Sequence, residues 1–256
     1  MAKTVCRVLL IVVAVLVVGL GVWLAWANKA LQLNTYAVNS TCLPESFDGF
    51  RIAHISDLHN AEMGKDNEKL LALLRQAQPD MIAITGDMID ARGTDTEIAL
   101  TFAAEAVKLA PCYYVPGNHE ARIPEYPAFR KSLAALGVSV LENSSAPLLQ
   151  NGRQILIAGV SDPSFDTDFL TDDSAIMAAK LRSLDIDREQ FTVLLSHRPE
   201  LLDTYAESGA ALVLTGHAHG GQIRLPFSSL DGVGENAAQR IMEVRNAGTI
   251  LSVEEL

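Results

Sequence analysis

Ala211-Leu212-Val213-Leu214-Thr215-Gly216-His217-Ala218-His219-Gly220-Gly221-Gln222 is the stretch from which the fold can be read. Its first four residues form an apolar run of strand length. The polar, glycine-rich remainder reads as the loop at the strand's end. Residues two apart on an extended segment point the same way, which aims His217 and His219 together. The flanking glycines allow a sharp turn and a close approach of backbone to whatever the histidines hold. Paired imidazoles suit Zn, Mn, Fe or Ni. Taken by itself, the stretch also fits a polar turn with two solvated histidines.

The same arrangement recurs upstream. Runs at 51–56, 81–85, 113–115, 154–158 and 192–196 read as further strands, and 67–78, 96–109, 126–136, 175–183 and 199–207 as helices between them. On the first helix Leu70, Leu71, Leu74 and Ala77 share one face. This alternation predicts a layered α/β sheet with helices on its faces. Polar clusters close the strands: Ser56-Asp57-Leu58-His59, then Gly86-Asp87 with Asp90 nearby, then Gly117-Asn118-His119-Glu120, then His197, then His217 and His219. In open α/β sheets, ligands bind beyond the carboxyl ends of strands. Five of the six histidines fall in these clusters, and His54, inside the first strand, reads as a core or strand histidine. One such residue alone would be a helix cap or a turn former. Five clusters at five strand ends point to a single site.

The chemistry of the set fits two divalent ions. A pair about 3.5–4 Å apart can clamp the attacking and leaving oxygens of a phosphoryl displacement. Their mutual repulsion calls for an anionic bridge, and Asp87 offers two carboxylate oxygens. Histidines and the Asn118 carbonyl are neutral donors, so the site keeps positive charge for an anionic substrate. Water on such an ion is acidified enough to attack near neutral pH.

The order D-x-H, G-D, G-N-H-[DE], H, G-H-x-H, carried by Asp57/His59, Gly86/Asp87, Gly117 to Glu120, His197 and Gly216 to His219, resembles the calcineurin-like metallophosphoesterases. The similarity covers residues 49–226. Within that family the motifs look like the membrane-anchored bacterial branch, some of whose members cleave a UDP-sugar lipid pyrophosphate. The resemblance implies a four-layer α/β sandwich, two packed sheets flanked by helices. It implies Asp57, His59 and His219 on one ion, Asn118, His197 and His217 on the other, and Asp87 between them. The ions would be Mn, Fe, Zn or similar. It implies hydrolysis of a phosphoester or pyrophosphate by an activated hydroxide, with His119 as general acid and Glu120 orienting it. Asp90 reads as a turn residue. Loops at 124–127 and 161–171 would set specificity.

Residues 8–27 are uncharged and overwhelmingly apolar, with Lys3 and Arg7 ahead of them. About 20 apolar residues span a bilayer as a helix. Basic residues at its start place the N-terminus in the cytoplasm and the remainder outside, in a single pass of the cell membrane. Ala25-Trp26-Ala27 gives a cleaved signal peptide as the alternative, but the run exceeds a signal's apolar core. The division expected is an anchor at 1–30, a linker with weak strand character at 31–48, the catalytic domain at 49–226 and a tail at 227–256. A net charge of −11 argues against a nucleic-acid surface. The expected partners are the membrane and a phosphorylated small-molecule or lipid substrate. Cys6, Cys42 and Cys112 have no metal spacing. Nothing in the sequence fixes an oligomeric state.

The tail departs from the pattern. Pro226 to Ala238 and the closing Leu251-Ser252-Val253-Glu254-Glu255-Leu256 resemble the helix-hairpin-helix end of a Gram-positive replicative DNA polymerase. The tail therefore reads as helical and as joined from another coding sequence, with a divergent helical family tail as the alternative. A nucleic-acid-binding tail, a metal module without activity, or an inactive truncated phosphoesterase are the rival readings of function.

Overall fold

The computed structural model describes residues 2–27, 31, 33–166, 171–218 and 239–245. Two compact units divide at residues 32 and 33. The first holds α1 (Ala2–Ala27), whose segment Lys3–Trp23 has mean hydropathy 2.9 and is long and apolar enough to cross a membrane.

The second unit runs β1 (Leu33–Asn39), β2 (Phe50–Ile55), α2 (Glu68–Ala77), β3 (Met81–Thr85), α3 (Glu97–Ala106), β4 (Cys112–Val115), α4 (Tyr126–Ala135), β5 (Ser139–Val140), β6 (Ser144–Gln150), β7 (Arg153–Gly159), α5 (Asp173–Ser183), β8 (Thr192–Leu195), α6 (Leu202–Ser208), β9 (Leu212–Leu214) and β10 (Gln239–Arg245). Six strands form one sheet in the order β1-β10-β2-β3-β4-β5, and four form another in the order β6-β7-β8-β9. From β2 to β5 and from β7 to β9 neighbours run parallel, while β6 and β7 make an antiparallel hairpin.

Strand period two sends alternate side chains to different cores. Ile52, Met81, Ala83, Tyr113 and Val115 of the first sheet meet Ile155, Ile157, Val193, Leu195 and Leu214 of the second. Ala53, Ile82, Ile84 and Tyr114 turn outward against Leu70, Phe102 and Phe129 of α2, α3 and α4. Ala158 and Leu194 do the same against Met177, Leu181 and Tyr205 of α5 and α6. The result is the expected helix–sheet–sheet–helix sandwich. Parallel strands buried on both faces explain why these runs lack polar alternation.

Two expectations change. Residues assigned to a linker belong to the fold: β1 joins the larger sheet, and Leu43 and Phe47 pack into the core between the sheets. The tail is not helical where it is described. Gln239–Arg245 is a strand, parallel to β1 and antiparallel to β2. Main-chain pairing on both sides outweighs its modest helix propensity, since strand preference depends on context, and it covers the edge that β2 would otherwise expose. The other tail residues lie outside those described.

The carboxyl ends of the parallel strands in both sheets lead into the polar clusters. One ion pair ties two of these loops. Asp162, fully buried after β7, accepts from Arg198 Nε at 2.6 Å and Nη2 at 3.1 Å, and its amide donates to the Pro116 carbonyl at 3.2 Å. Burial pushes the Asp162 carboxyl up, but the bonds and charge of Arg198 outweigh it and hold the group below its ordinary 3.8.

Two stability outcomes follow from this packing. At Gly159 a Cβ would press on the Leu141 and Val115 side chains and the Leu141 carbonyl, so Gly159→Ala should lower unfolding stability by about 1–3 kcal/mol, read from the denaturant midpoint. Asp162→Asn should cost about 2–3 kcal/mol at neutral pH, from the lost charge-assisted bonds. A depressed folded pKa stabilises above the unfolded value and loses that stability as pH falls through the folded one. The gap between wild type and Asp162→Asn should therefore be widest at neutral pH and narrow below the ordinary Asp range.

Candidate metal centre

Each cluster lies on the turn that leaves a buried strand, and the turns are bent tightly inward. Asp57, His59, Asp87 and His217 all have left-handed backbone, with φ of 57°, 45°, 51° and 68°. Such conformations strain a residue with a Cβ and persist where surrounding structure imposes them. Here main-chain bonds between neighbouring turns impose them: Asp57 N donates to Gly86 O at 3.1 Å and His59 N to Asp87 O at 2.9 Å. Gly117 and Gly216 allow the approach. A Cβ on the first would collide with Asp87 and His197, and on the second with Ser56, Asp57 and Thr85.

Asp87, only 1% exposed, lies at the centre. Its Oδ1 accepts the His119 amide at 2.9 Å. Its Oδ2 faces three rings: His197 Nε2 at 3.2 Å, His59 Nε2 at 3.7 Å and His119 Nε2 at 4.0 Å. Two groups of donor atoms share this carboxylate, His59/Asp87/His119 and Asp87/His197/His217, each within 4.8 Å. Burial pushes Asp87 up, yet the bond and charge of His197 and the His119 amide outweigh it and bring the carboxyl to about 2.

His197 is fully buried. Its Nδ1 donates to the Thr85 carbonyl at 2.7 Å, which turns Nε2 toward Asp87 and toward Asn118 Oδ1 at 3.2 Å. In the neutral ring, Nε2 then carries a lone pair beside two acceptor oxygens. Three such atoms repel one another unless a cation or a proton lies among them, and an imidazole anchored through its other nitrogen to a backbone carbonyl is the usual metal-ligand arrangement. A proton is held tightly here: burial opposes it, but the bond and charge of Asp87 raise His197 to about 9. His217 moves the other way, lowered by burial and by His197. Asp57 binds the His217 amide at 3.1 and 2.9 Å through its two oxygens, and its Oδ1 lies 3.8 Å from His59 Nε2. The donors present fit divalent cations, with hard carboxylates mixed among imidazoles.

His119 and Glu120 separate in a way the sequence did not suggest. His119 Nδ1 accepts the Ala91 amide at 3.0 Å. A neutral ring therefore bears its proton on Nε2, on the Asp87 side. Asp90, in the turn closed by Gly93 N on Asp90 O at 2.9 Å, brings Oδ1 to 3.6 Å from the same Nδ1 and pairs with Arg92 at 2.6–3.1 Å. Asp90 is thus a turn residue, as expected, and also a neighbour of His119. The expected partnership of Glu120 with His119 is replaced by main-chain contacts. Glu120 Oε2 accepts from Asp87 N and Gly117 N, both at 2.8 Å, and Oε1 from Ile89 N at 3.2 Å. Consecutive residues of a helical turn do not face each other, so the carboxyl next to His119 in sequence points away from its ring. Fully buried near Asp87, Glu120 is raised to about 7 by burial and by that charge.

Of the nine residues singled out in the sequence, Asp57, His59, Asp87, Asn118, His119, His197 and His217 converge, Glu120 lies behind them, and His219 is outside the described residues. His54 is a buried strand histidine bonded to Thr85 Oγ1 at 2.7 Å. Sequence reading missed the Ala91 amide and the Thr85 carbonyl. Backbone groups carry no residue-type signal, so only coordinates reveal them.

The calcineurin-like phosphoesterase family model matches residues 50–221. The chain is 28% identical over 204 residues to a Bacillus subtilis protein named uncharacterized metallophosphoesterase YkuE, across 77% of this chain and 68% of that one. It is 25% identical over 195 residues to a Danio rerio protein named transmembrane protein with metallophosphoesterase domain, across 71% of this chain and 43% of that one. Its fold is similar to the crystal structure of TT1561 of Thermus thermophilus, with a TM-score of 0.53 and 16% identity over 75% of this chain and 88% of that chain. The family model spans more than half of the sequence and takes in every cluster described above, and the chain belongs to the calcineurin-like phosphoesterases.

Proposed function

We propose that the chain is a membrane-anchored hydrolase of phosphoesters or pyrophosphates with a two-metal site. Asp87 would lie between the ions, Asp57, His59 and His219 would hold one, and Asn118, His197 and His217 would hold the other. The observation that carries this reading is the single Asp87 carboxylate, whose Oδ2 lies 3.7 Å from His59 Nε2 and 3.2 Å from His197 Nε2, rings of two different donor clusters. When bound, the ions supply positive charge to the phosphoryl oxygens and make a water nucleophilic.

The remaining work belongs to the chain's own groups. His197, braced on Thr85, and Asp87, braced on the His119 amide, keep their donor atoms in place without reorganisation. His119, with Nδ1 engaged by the Ala91 amide, presents its Nε2–H at the face of the cluster as a hydrogen bond to the departing oxygen; it transfers that proton only as the imidazolium, whose second proton on Nδ1 displaces the Ala91 amide and faces Asp90 Oδ1 at 3.6 Å. The apolar Lys3–Trp23 helix and the transmembrane name of the Danio rerio relative support a membrane location. Lys3 and Arg7 ahead of the uncharged run that begins at Val8 support a site outside the cytoplasm, facing a lipid-linked or envelope substrate.

Turnover of phosphodiesters alongside metal analysis tests the roles. His119→Ala should retain both metal equivalents and lose about 10²–10⁴-fold in rate, with a greater loss for alkyl than for nitrophenyl leaving groups. Asp87→Ala should lose metal and turnover together. Full activity in either variant would defeat the assignment.

A further inference from the structure

Glu120 is a fully buried carboxylate beside the cluster, and its hydrogen bonds go to the main chain. Three backbone amides donate to it, from Asp87, Ile89 and Gly117. Two of these belong to the turn after β3 and one to the turn after β4. One oxygen, Oε2, accepts from both turns at 2.8 Å, at the place where Gly117 is pressed against Asp87 too closely to admit a Cβ.

We propose that Glu120 is the positioning residue for the bridging carboxylate: it staples the β3 and β4 turns together and thereby sets Asp87 Oδ2 between the two donor clusters. The proposal rests on the two-metal reading above. Asp87 has φ of 51°, which it would not adopt unaided. Its amide needs an acceptor in that conformation, and Glu120 provides one. The neighbouring His119 amide then donates to Oδ1 at 2.9 Å, and Oδ2 faces the rings. A buried amide without an acceptor is costly, and three amides depend on this one side chain. Glu120 thus acts on the metal site through Asp87, and His119 takes its orientation from Ala91.

The test uses the full-length chain in detergent, titrated with Mn²⁺. Binding is measured by calorimetry, and the spin-coupled signal of a bridged Mn pair by electron paramagnetic resonance. Glu120→Gln keeps one acceptor oxygen but turns an NH₂ toward an amide donor. It should weaken Mn²⁺ binding about tenfold and reduce the coupled signal in favour of isolated Mn²⁺. Glu120→Ala, where it folds, should fall further. The sensitivity of the residual rate to leaving-group basicity should stay as in wild type. Wild-type Mn²⁺ affinity and coupling in Glu120→Gln would overturn the proposal, and so would unchanged binding with a selective loss on alkyl esters, which would return Glu120 to His119. A wild-type protein that binds no coupled pair would instead defeat the two-metal reading.

Discussion

A single carboxylate, nearly sealed from solvent and surrounded by imidazoles, sets the terms for the site. Asp87 Oδ2 has three ring nitrogens within 4.0 Å, and its other oxygen is tied to the chain. Burial of a charged group is costly unless opposite charge lies beside it. Protons on His197 meet that need, as does a divalent ion, so one geometry suits both occupants. The arrangement requires turns from different strands to come within hydrogen-bonding distance of one another, and that requirement reaches into the fold.

The fold meets it by sealing both faces of each sheet. Strands β2 to β5 and β7 to β9 run parallel, which brings their carboxyl ends to a common rim. The Asp162–Arg198 pair and the Ser196–Tyr205 hydroxyl contact at 2.8 Å then lock the turn after β8 to its surroundings. Lys180, 8% exposed, donates to Ser161 Oγ at 2.9 Å and to the Ser161 and Asp162 carbonyls at 3.0 and 3.2 Å, and so secures the turn after β7. The donors are therefore held by a rigid frame of buried polar contacts, which makes them preorganised for charge.

Much of this was legible in residue types. The six strands marked by apolar runs lie where they were expected, with ends within a residue or two, because a parallel strand covered on both faces is built mostly of aliphatic and aromatic side chains. The convergence of the polar residues was legible because a His or Asp at a strand's end has few cheaper explanations when five clusters repeat the pattern. β1 showed only as weak strand character and β6 not at all, since Leu33–Asn39 and Ser144–Gln150 lie at sheet edges and bury few of their side chains. β10 was misread because its strand state comes from partners on both sides and not from its own composition. Glu120 was placed correctly near the site and given the wrong partner, because adjacency in sequence was taken for adjacency in space.

The strain in the turns explains why the cage is made by so few side chains. Four donor-bearing residues, Asp57, His59, Asp87 and His217, occupy left-handed backbone, at a cost of about 1–3 kcal/mol each. The bent turns hold their side chains close: His59 Nε2 lies 3.8 Å from Asp57 Oδ1 and 3.7 Å from Asp87 Oδ2. The strain is sustained by inter-turn amides on Gly86, Asp87 and Met88 carbonyls, groups present whatever the side chains are. The geometry of this Asp/His cluster is thus a property of how the turns are stapled, and residue identity decides which atoms stand at the places the backbone has fixed.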